Sequence, residues 1–376
     1  MKTLGEIFEI GSGGTPSKTH PEYYDGNIPW IKTGDLKDEY LYSVEDCISK
    51  EGLNNSSAKM YPSGTVLIAM YGATIGATSI LKFDACTNQA CAAFKPCEEV
   101  LPEYLYYFLR SKKQKFISDG VGGAQPNISA GYLKKVSIDI RNIKEQEKIV
   151  TVLDKLNGII QKRQNEVDEL DELIKARFVE LFEDGESPLK TIEELCSEIV
   201  DCPHTTPKYE GDLKNPAIRT SEIKKGYITW DSMKYVSDEE YEERVSRLRP
   251  KAGDIVYGRE GTFGNAAVLP EGYKFCLGQR VMLLRPDYTK CTSEYLLHAV
   301  ISDDVYRQAV GKNNASTVAH VNVKDVKQFK VPLPSFDKQN QFADFVKQVD
   351  KSKVVVQKAL DEAQLLFDSL MQEYFG

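Results

Sequence analysis

A glycine-rich segment early in the chain has the residue types of a cofactor-binding loop. It runs Phe8-Glu9-Ile10-Gly11-Ser12-Gly13-Gly14-Thr15 and is similar to the loops that cradle S-adenosylmethionine. Such a loop is a weak signal when it stands alone. A methylase that acts on adenine also needs an Asn/Asp-Pro-Pro-aromatic loop to hold the flipped base, and the chain has no Pro-Pro dipeptide. We therefore expect no cofactor here and interpret the segment as a flexible loop at a binding surface.

Other kinds of catalytic or metal site lack the residues that they require. The chain has no Gly-x-x-x-x-Gly-Lys-Ser/Thr phosphate loop, which argues against an ATP-driven motor. Its four histidines are scattered and its eight cysteines contain no Cys-x-x-Cys pair, so neither a Ser-His-Asp site nor a zinc site is predicted. Asp35 and Glu222 occupy matched positions in the two halves, but a single carboxylate per half favours capping or a structural hydrogen bond over nuclease chemistry.

The two halves of the chain repeat one another, which sets the domain organisation. The matched segments, in order, are Ile31–Leu36 with Ile218–Ile223, Gly64–Leu67 with Gly253–Val256, Tyr71–Gly76 with Glu260–Gly264, Cys86–Gln89 with Cys276–Gln279, and Tyr104–Leu105 with Tyr295–Leu296. Five matches in the same order exceed chance. Residues 33–60 and 220–250 barely match, so the loops diverge while the framework is kept.

Each half ends in a long heptad pattern. Apolar residues fill eight of ten seam positions from Ile149 to Leu181, and nine of ten from Phe342 to Tyr374. A seam sustained for five heptads is typical of a coiled coil, and 36 residues would make a rod of about 55 Å. We predict two antiparallel helices that hold the halves apart. The alternative is that each stripe packs only on its own globular domain.

The globular halves read as mixed α/β. Buried strands are predicted at Val66–Met70, Asp254–Tyr257, Ala92–Lys95 and Val281–Arg285, and amphipathic helices at Glu103–Leu109 and Ser293–Ala299. The predicted fold class is therefore α/β (α+β), with two similar domains at residues 1–143 and 185–336. A pair of long antiparallel coiled-coil helices, residues 144–184 and 337–376, separates them in a pseudo-two-fold internal repeat.

The net charge of −8 at first argues against a nucleic-acid partner, but its distribution weakens that argument. Residues 144–184 carry a net charge of −4 and residues 337–376 a net charge of −2, so most of the acidity lies in the two helices. No apolar run reaches 18 residues, and the segment Met1–Glu6 lacks the apolar stretch that is typical of a signal peptide. We expect a cytoplasmic protein with reduced thiols and no membrane association.

Several short motifs recur in the order in which the domains and helices follow one another. They are Leu4-Gly5-Glu6-Ile7 with Gly14-Thr15-Pro16, their counterparts Ile192–Leu195 and Thr205–Pro207, the segment Gln125–Ser129, and the helix starts Lys144–Ile149 and Asp337–Phe342. Over essentially the whole chain this order resembles the Type I restriction-modification DNA-specificity (S) subunit family.

The resemblance implies a non-catalytic, sequence-specific DNA-binding subunit. Each globular half would be a target-recognition domain that reads a few base pairs of a bipartite site in double-stranded DNA. The helices would set the spacing and dock two modification (methyltransferase) subunits, which methylate adenine. Restriction subunits, the ATP-dependent translocase and nuclease, would join that core. The chain would need no cofactor of its own, since S-adenosylmethionine, ATP and Mg are expected on the partner subunits.

Candidate DNA contacts follow from the chemistry of base edges and phosphates. Arg pairs with guanine, Asn and Gln pair with adenine, and Lys more often meets phosphate. The base-reading candidates are Tyr71, Asn88, Gln89, Gln125 and Asn127 in the first domain and Arg259, Asn265, Gln279 and Arg280 in the second. The phosphate candidates are Lys18, Lys32, Lys208 and Arg219. Thr33, Thr205 and Thr220 adjoin these residues, Thr74 and Thr262 lie in the glycine turns, and His204 and His320 complete the set. For any one of them the alternative is a solvated loop residue.

Two other functions stay open at this point. The chain could be a DNA methyltransferase in its own right, or a coiled-coil scaffold with no DNA role. Divergent loops on a conserved framework argue against a scaffold, because a structural repeat has no need to vary them.

Overall fold

The computed structural model describes residues 1–120, 127–182, 185–210, 214–260, 264–312 and 321–376, and every structural statement below concerns these residues. Contacts divide the chain into two compact units, residues 1–164 with 358–376 and residues 165–357. Each unit therefore contains one globular half and a part of each long helix.

The first unit is built from short strands and helices that precede the first long helix. Its strands are β1 (Lys2–Thr3), β2 (Ile10–Ser12), β3 (Ile28–Ile31), β4 (Tyr40–Leu41), β5 (Cys47–Ile48), β6 (Met60–Tyr61), β7 (Val66–Ala69), β8 (Thr78–Leu81), β9 (Ala85–Thr87), β10 (Cys91–Phe94) and β11 (Ser137–Ile138). Its helices are α1 (Leu4–Ile7), α2 (Lys50–Asn54), α3 (Pro102–Ser111), α4 (Lys113–Asp119) and α5 (Ala130–Lys135), and α6 (Ile143–Phe182) begins there.

The second unit has a matching set of elements. Its strands are β12 (Leu189–Thr191), β13 (Cys196–Asp201), β14 (Asn215–Ile218), β15 (Lys234–Val236), β16 (Ile255–Gly258), β17 (Ala266–Val268), β18 (Cys276–Leu277), β19 (Val281–Pro286) and β20 (Lys330–Pro332). Its helices are α7 (Ile192–Leu195), α8 (Asp238–Arg244), α9 (Ser293–Val300), α10 (Asp303–Lys312) and α11 (Val323–Lys327), and α12 (Phe336–Phe375) begins there.

The two units share one sheet topology. The largest sheet of the first unit has the order β2-β10-β7-β8-β4, and that of the second has β13-β19-β16-β17. Beside it lies a smaller sheet, β5-β3-β9-β6 or β15-β14-β18, in which β3 runs parallel to β9 and β14 parallel to β18. β7 and β16 are buried along their whole length, as their unbroken apolar runs predict. The structure thus confirms the internal repeat.

The first and third helices of each unit repeat the same side-chain bonds. Thr3 and Glu6 form a capping box at α1, and Thr191 and Glu194 form one at α7. The Tyr104 hydroxyl of α3 donates to the Asp139 carbonyl at 3.1 Å, and in the second unit the Tyr295 hydroxyl of α9 donates to the Pro332 carbonyl.

The long helices pair antiparallel within each unit. In the first unit Ile149 and Leu153 of α6 share a core with Phe367 and Met371 of α12. In the second, the ring centroids of Phe178 and Phe342 lie 5.5 Å apart. Every seam position predicted from the heptads is buried or half-buried. The same cores contain residues of α3 and α9, so the helix stripes pack on the globular domains as well as on each other.

A buried glutamine fastens each long helix to its domain. Gln146 accepts from the Leu101 amide at 2.9 Å and donates to the Glu99 and Arg141 carbonyls, both at 2.8 Å. Gln339 accepts from the Thr292 amide at 2.9 Å and donates to two carbonyls in the same way. Both side chains are completely buried, so the recurring Gln of the helix starts is a structural anchor.

The eight cysteines are free thiols. None of the described helices combines the length and the apolar composition that crossing a bilayer requires.

Candidate nucleic-acid interface

Each unit has the same backbone junction at the end of its central strand. In the first, the Met70 amide donates to the Ala90 carbonyl at 2.8 Å and the Ile128 amide donates to the Met70 carbonyl at 2.9 Å. In the second, the Arg259 amide donates to the Arg280 carbonyl at 2.9 Å and the Val321 amide to the Arg259 carbonyl at 3.0 Å. These bonds gather residues from distant parts of the sequence into one surface per unit. We define recognition edge 1 as Thr15, Met70, Tyr71, Asn88–Ala90 and Asn127, and recognition edge 2 as Asp201, His204, Thr206, Arg259, Glu260, Gln279 and Arg280.

A threonine–glutamine hydrogen bond recurs at both edges. The Thr15 hydroxyl donates to Gln89 Oε1 at 2.5 Å, and Gln279 Nε2 donates to the Thr206 hydroxyl at 2.8 Å. Both threonines belong to the repeated Thr-Pro dipeptides, and both glutamines follow the strands β9 and β18. Thr15 and Thr206 were missing from the predicted contacts, although the recurring Thr-Pro pointed to them.

The repeated carboxylates accept backbone hydrogen bonds in the turns that follow β3 and β14. Asp35 Oδ2 accepts from the Lys32 amide at 2.7 Å, and Glu222 Oε2 accepts from the Arg219 amide at 3.0 Å. The structural role predicted for Asp35 and Glu222 is therefore confirmed. Hydrogen bonds and the Arg219 guanidinium lower the pKa of Glu222, although desolvation, the largest influence, opposes them.

Recognition edge 1 is uncharged. Tyr71 is 44% exposed and forms an isolated antiparallel β-bridge with Asn127, which is also exposed. The Asn88 side-chain oxygen accepts from the Ala90 amide at 3.0 Å, and the Thr74 hydroxyl donates to the Tyr71 carbonyl at 3.1 Å. Gly72 and Gly76 have φ angles of 64° and 80°, which explains why glycine is needed in this turn. The edge therefore offers amides, a phenol and hydroxyls to a ligand.

Recognition edge 2 is charged. Arg280 is exposed, lies in the left-handed region with φ 65°, and reaches Glu260 at 3.0 Å. A bulky residue held in that region is strained, and such strain is often found at functional sites. His204 is exposed and lies 3.8 Å from Asp201. The two edges thus share a backbone and differ in side-chain chemistry.

Arg259 was predicted to contact a base, but the structure buries its side chain. The guanidinium is buried, donates to Asp201 Oδ1 at 2.7 Å and reaches the Val321 carbonyl at 3.5 Å. Asn265 also turns inward, donating to the Ile223 carbonyl at 3.2 Å. In the sequence both are polar residues beside a glycine turn, but polarity alone does not determine whether a side chain faces solvent or the interior.

Comparison with known proteins decides the family. The model of the Type I restriction modification DNA specificity domain matches residues 1–169 and 205–363. The chain belongs to this family. It is 34% identical over 208 residues to the Type I restriction enzyme MjaIX specificity subunit of Methanocaldococcus jannaschii, a match that covers 54% of this chain and 47% of that protein. A Type I restriction enzyme specificity subunit of Escherichia coli is 33% identical over 164 residues, covering 42% of this chain and 41% of its own length.

These alignments span less than half the length of the two curated relatives. A solved structure from work on complex assembly and conformational transition of the type I R-M system has a TM-score of 0.61 at 16% identity. That match covers 99% of this chain and 96% of the other, and it shows a common fold.

The glycine-rich segment of this specificity domain is packed, which corrects the expectation of a flexible loop. A Cβ on Gly13 would lie 1.7 Å from the Thr87 carbonyl oxygen, and one on Gly11 would lie 2.6 Å from the Tyr61 hydroxyl. Residues Ile10–Ser12 form β2, paired with β10. The chain's own backbone and side chains therefore occupy the space that the glycines leave, and close approach accounts for these residues.

The remaining candidates of the specificity domains have varied environments. Lys18 and Lys208 are exposed, whereas Thr33 and Thr220 are half-buried in their turns. Lys32 pairs with Asp46, and the Arg219 side chain is held by Glu222 and the Ser232 carbonyl. Gln125, Thr262 and His320 lie outside the described residues. Every assignment to DNA stays a prediction.

Arg244 is a positioning residue that sequence reasoning missed. It is 6% exposed and donates to the Leu277 carbonyl at 3.0 Å, the Gly278 carbonyl at 3.2 Å and the Thr205 carbonyl at 3.3 Å. These bonds hold the turn that carries Gln279 against the Thr205 segment. Arg244 lies in the region where the two halves barely match, so the repeat gave no signal for it.

Proposed function

We propose that this chain is the DNA-specificity subunit of a Type I restriction-modification complex, with one half of a bipartite site read at each recognition edge. One observation carries the proposal: the same backbone junction presents neutral amides at edge 1 and arginine with carboxylates at edge 2. A backbone junction that is the same in both units, with different polar side chains on it, suits two domains that recognise different DNA sequences. Direct readout in the major groove depends on such donors and acceptors.

Phosphate contacts would add affinity without adding sequence information. The exposed Lys18 and Lys208 each follow a Thr-Pro dipeptide within two residues of the proline and are suited to this role. Since the chain is acidic overall, we expect modest non-specific binding to DNA. The part of the DNA affinity that comes from phosphate contacts should fall strongly as the salt concentration rises.

The subunit would be non-catalytic and would act through partners. Two modification subunits would bring S-adenosylmethionine and methylate adenine, and restriction subunits would bring ATP and Mg. Support comes from the family membership and from the missing Pro-Pro-aromatic loop. The expected compartment is the cytoplasm, which suits the free thiols.

The test is reconstitution. The purified chain is incubated with S-adenosylmethionine and DNA, with and without a modification subunit, and methylated positions are mapped by sequencing. We expect methylation of one bipartite motif only when both proteins are present. Turnover by the chain alone would support an autonomous methyltransferase. A complex that forms but neither binds nor modifies DNA would support a scaffold instead.

A further inference from the structure

The glutamine at each edge keeps the hydrogen-bonding capacity that reading a base requires. A carboxamide has two acceptor sites on oxygen and two N–H donors. Among the residues that the structure describes, Gln89 accepts from the Thr15 hydroxyl at one acceptor site, which leaves the other site and both donors. Gln279 spends one donor on Thr206, which leaves its oxygen and the second donor.

The same pair of groups therefore remains available on both side chains: one N–H and one oxygen of the same carboxamide. Adenine presents the complementary pair in the major groove, the N7 acceptor and the N6 donor. Guanine presents acceptors at both N7 and O6, which would set an oxygen against an oxygen. Gln89 is exposed and Gln279 is half-buried, so the first is already open to solvent and the second is partly so.

The threonines fix the direction of these carboxamides. Each hydroxyl is carried by a Thr-Pro dipeptide, in which the proline ring restricts the backbone on both sides of the peptide bond. In edge 2 the Arg244 guanidinium holds the neighbouring carbonyls of Gly278 and Thr205 as well. A side chain that is already oriented loses less freedom on binding, and this favours both affinity and selectivity.

We propose that Gln89 and Gln279 each read one adenine–thymine pair, at equivalent positions of the two half-sites, and that Thr15 and Thr206 are positioning residues for them. The proposal rests on the proposed function, because it needs the edges to meet DNA. If the proposal is right, the two half-sites share an adenine–thymine pair at one equivalent position and differ at the others.

The test is selection from duplex libraries randomised over both half-sites, using the reconstituted complex with its modification subunits. We expect Gln89→Ala to lower the preference for adenine at one step of the first half-site by about 5- to 150-fold, the range of one bidentate contact. Gln279→Ala should do the same in the second half-site only. Thr15→Val and Thr206→Val should weaken the same preferences, while Thr15→Ser and Thr206→Ser, which keep the hydroxyl, should retain them. Gln114→Ala, an exposed glutamine of α4, is the matched control.

The outcomes separate the two claims. A wild-type complex without any base preference would refute the proposed function. If the wild type selects a motif but Gln89→Ala and Gln279→Ala leave every position unchanged, or the affected step is not adenine in both halves, this inference is wrong and the function stands. Melting temperatures equal to that of the wild type show that a changed preference is not a folding defect.

Discussion

At recognition edge 2, two arginines that both suit guanine recognition differ in what they contact. Arg259 is enclosed, with Asp201 as its ion-pair partner, whereas Arg280 extends into solvent beside Glu260. The buried Arg259, held by Asp201, contributes to the shape of the site, whereas the exposed Arg280 remains accessible to a ligand while paired with Glu260. The residue type is the same for both, so the fold is needed to distinguish them.

The first prediction separates the two arginines by stability. Arg259→Ala should lower the free energy of unfolding by roughly 3 kcal/mol, because it leaves the largely buried Asp201 carboxylate without its partner. Arg280→Ala should change it by less than about 0.5 kcal/mol, as is usual for exposed side chains. Urea denaturation of the isolated chain measures both. Equal losses would contradict the assignment. In the complex, either variant should alter recognition of the second half-site and leave the first unchanged.

His298 gives the molecule an acid-sensitive group. Burial lowers the pKa of its imidazole to about 4, with further repulsion from Lys353 and a weaker opposing effect of Asp171. Its ring packs against Phe342, with centroids 5.0 Å apart. An unfolded histidine titrates near 6.5, so the unfolded chain binds more protons between these two values.

The second prediction is therefore a loss of stability as the pH falls from about 6.5 to 4, worth at most about 3 kcal/mol from this group. His298→Gln should remove that part of the pH dependence. Denaturation series across this pH range give the comparison, and identical slopes in the wild type and His298→Gln would disprove it.

Among the elements, the two long helices are the best predicted from sequence. Heptads place them at 144–184 and 337–376, and the structure has them at Ile143–Phe182 and Phe336–Phe375. The central strands β7 and β16 were equally clear, because buried runs are visible locally. The short strands β3, β5 and β6 were not predicted, since their pairing partners lie far along the chain and no local period marks them.

The third prediction concerns the anchors of the long helices. Gln146→Ala removes three hydrogen bonds and leaves their backbone partners without them, so the free energy of unfolding should fall by about 2–4 kcal/mol. Gln339→Ala should cost a similar amount in the second unit. Gln341→Ala, on the exposed face of α12, is the control and should be nearly neutral. An equal effect of all three variants would show that the buried hydrogen bonds of Gln146 and Gln339 do not anchor the helices.

For the whole molecule, the internal repeat and the two long helices could be predicted from the sequence, whereas the interior of each recognition edge could not. Thr206 and Arg244 act through bonds between segments that the sequence keeps far apart. Asn265 shows the same limit, because a side chain beside a turn can face either way.

The fourth prediction uses the long helices as the ruler between half-sites. Inserting one heptad in each helix, after Gln164 in α6 and after Gln357 in α12, keeps the pairings inside each unit. Seven residues add about 10 Å, so the gap between the half-sites should grow by about 3 base pairs with both half-sites unchanged. Methylome sequencing of cells that carry the variant complex reads out the gap. An active complex that keeps the original gap would show that the long helices do not set the distance between the half-sites. As a control, insertion in α6 alone mismatches the two helices and should impair activity.

The discontinuous make-up of the first unit has a consequence for biosynthesis. Residues 165–357 form the second unit by themselves, but residues 1–164 are completed only by residues 358–376. A ribosome delivers the chain in order, and domains fold as they emerge. The unit that is begun first is therefore finished last, and until then Ile149 and Leu153 lack the side chains of Phe367 and Met371. A chain that is released after residue 357 would contain the whole second unit and would leave the apolar face of Ile149 and Leu153 open to chaperones.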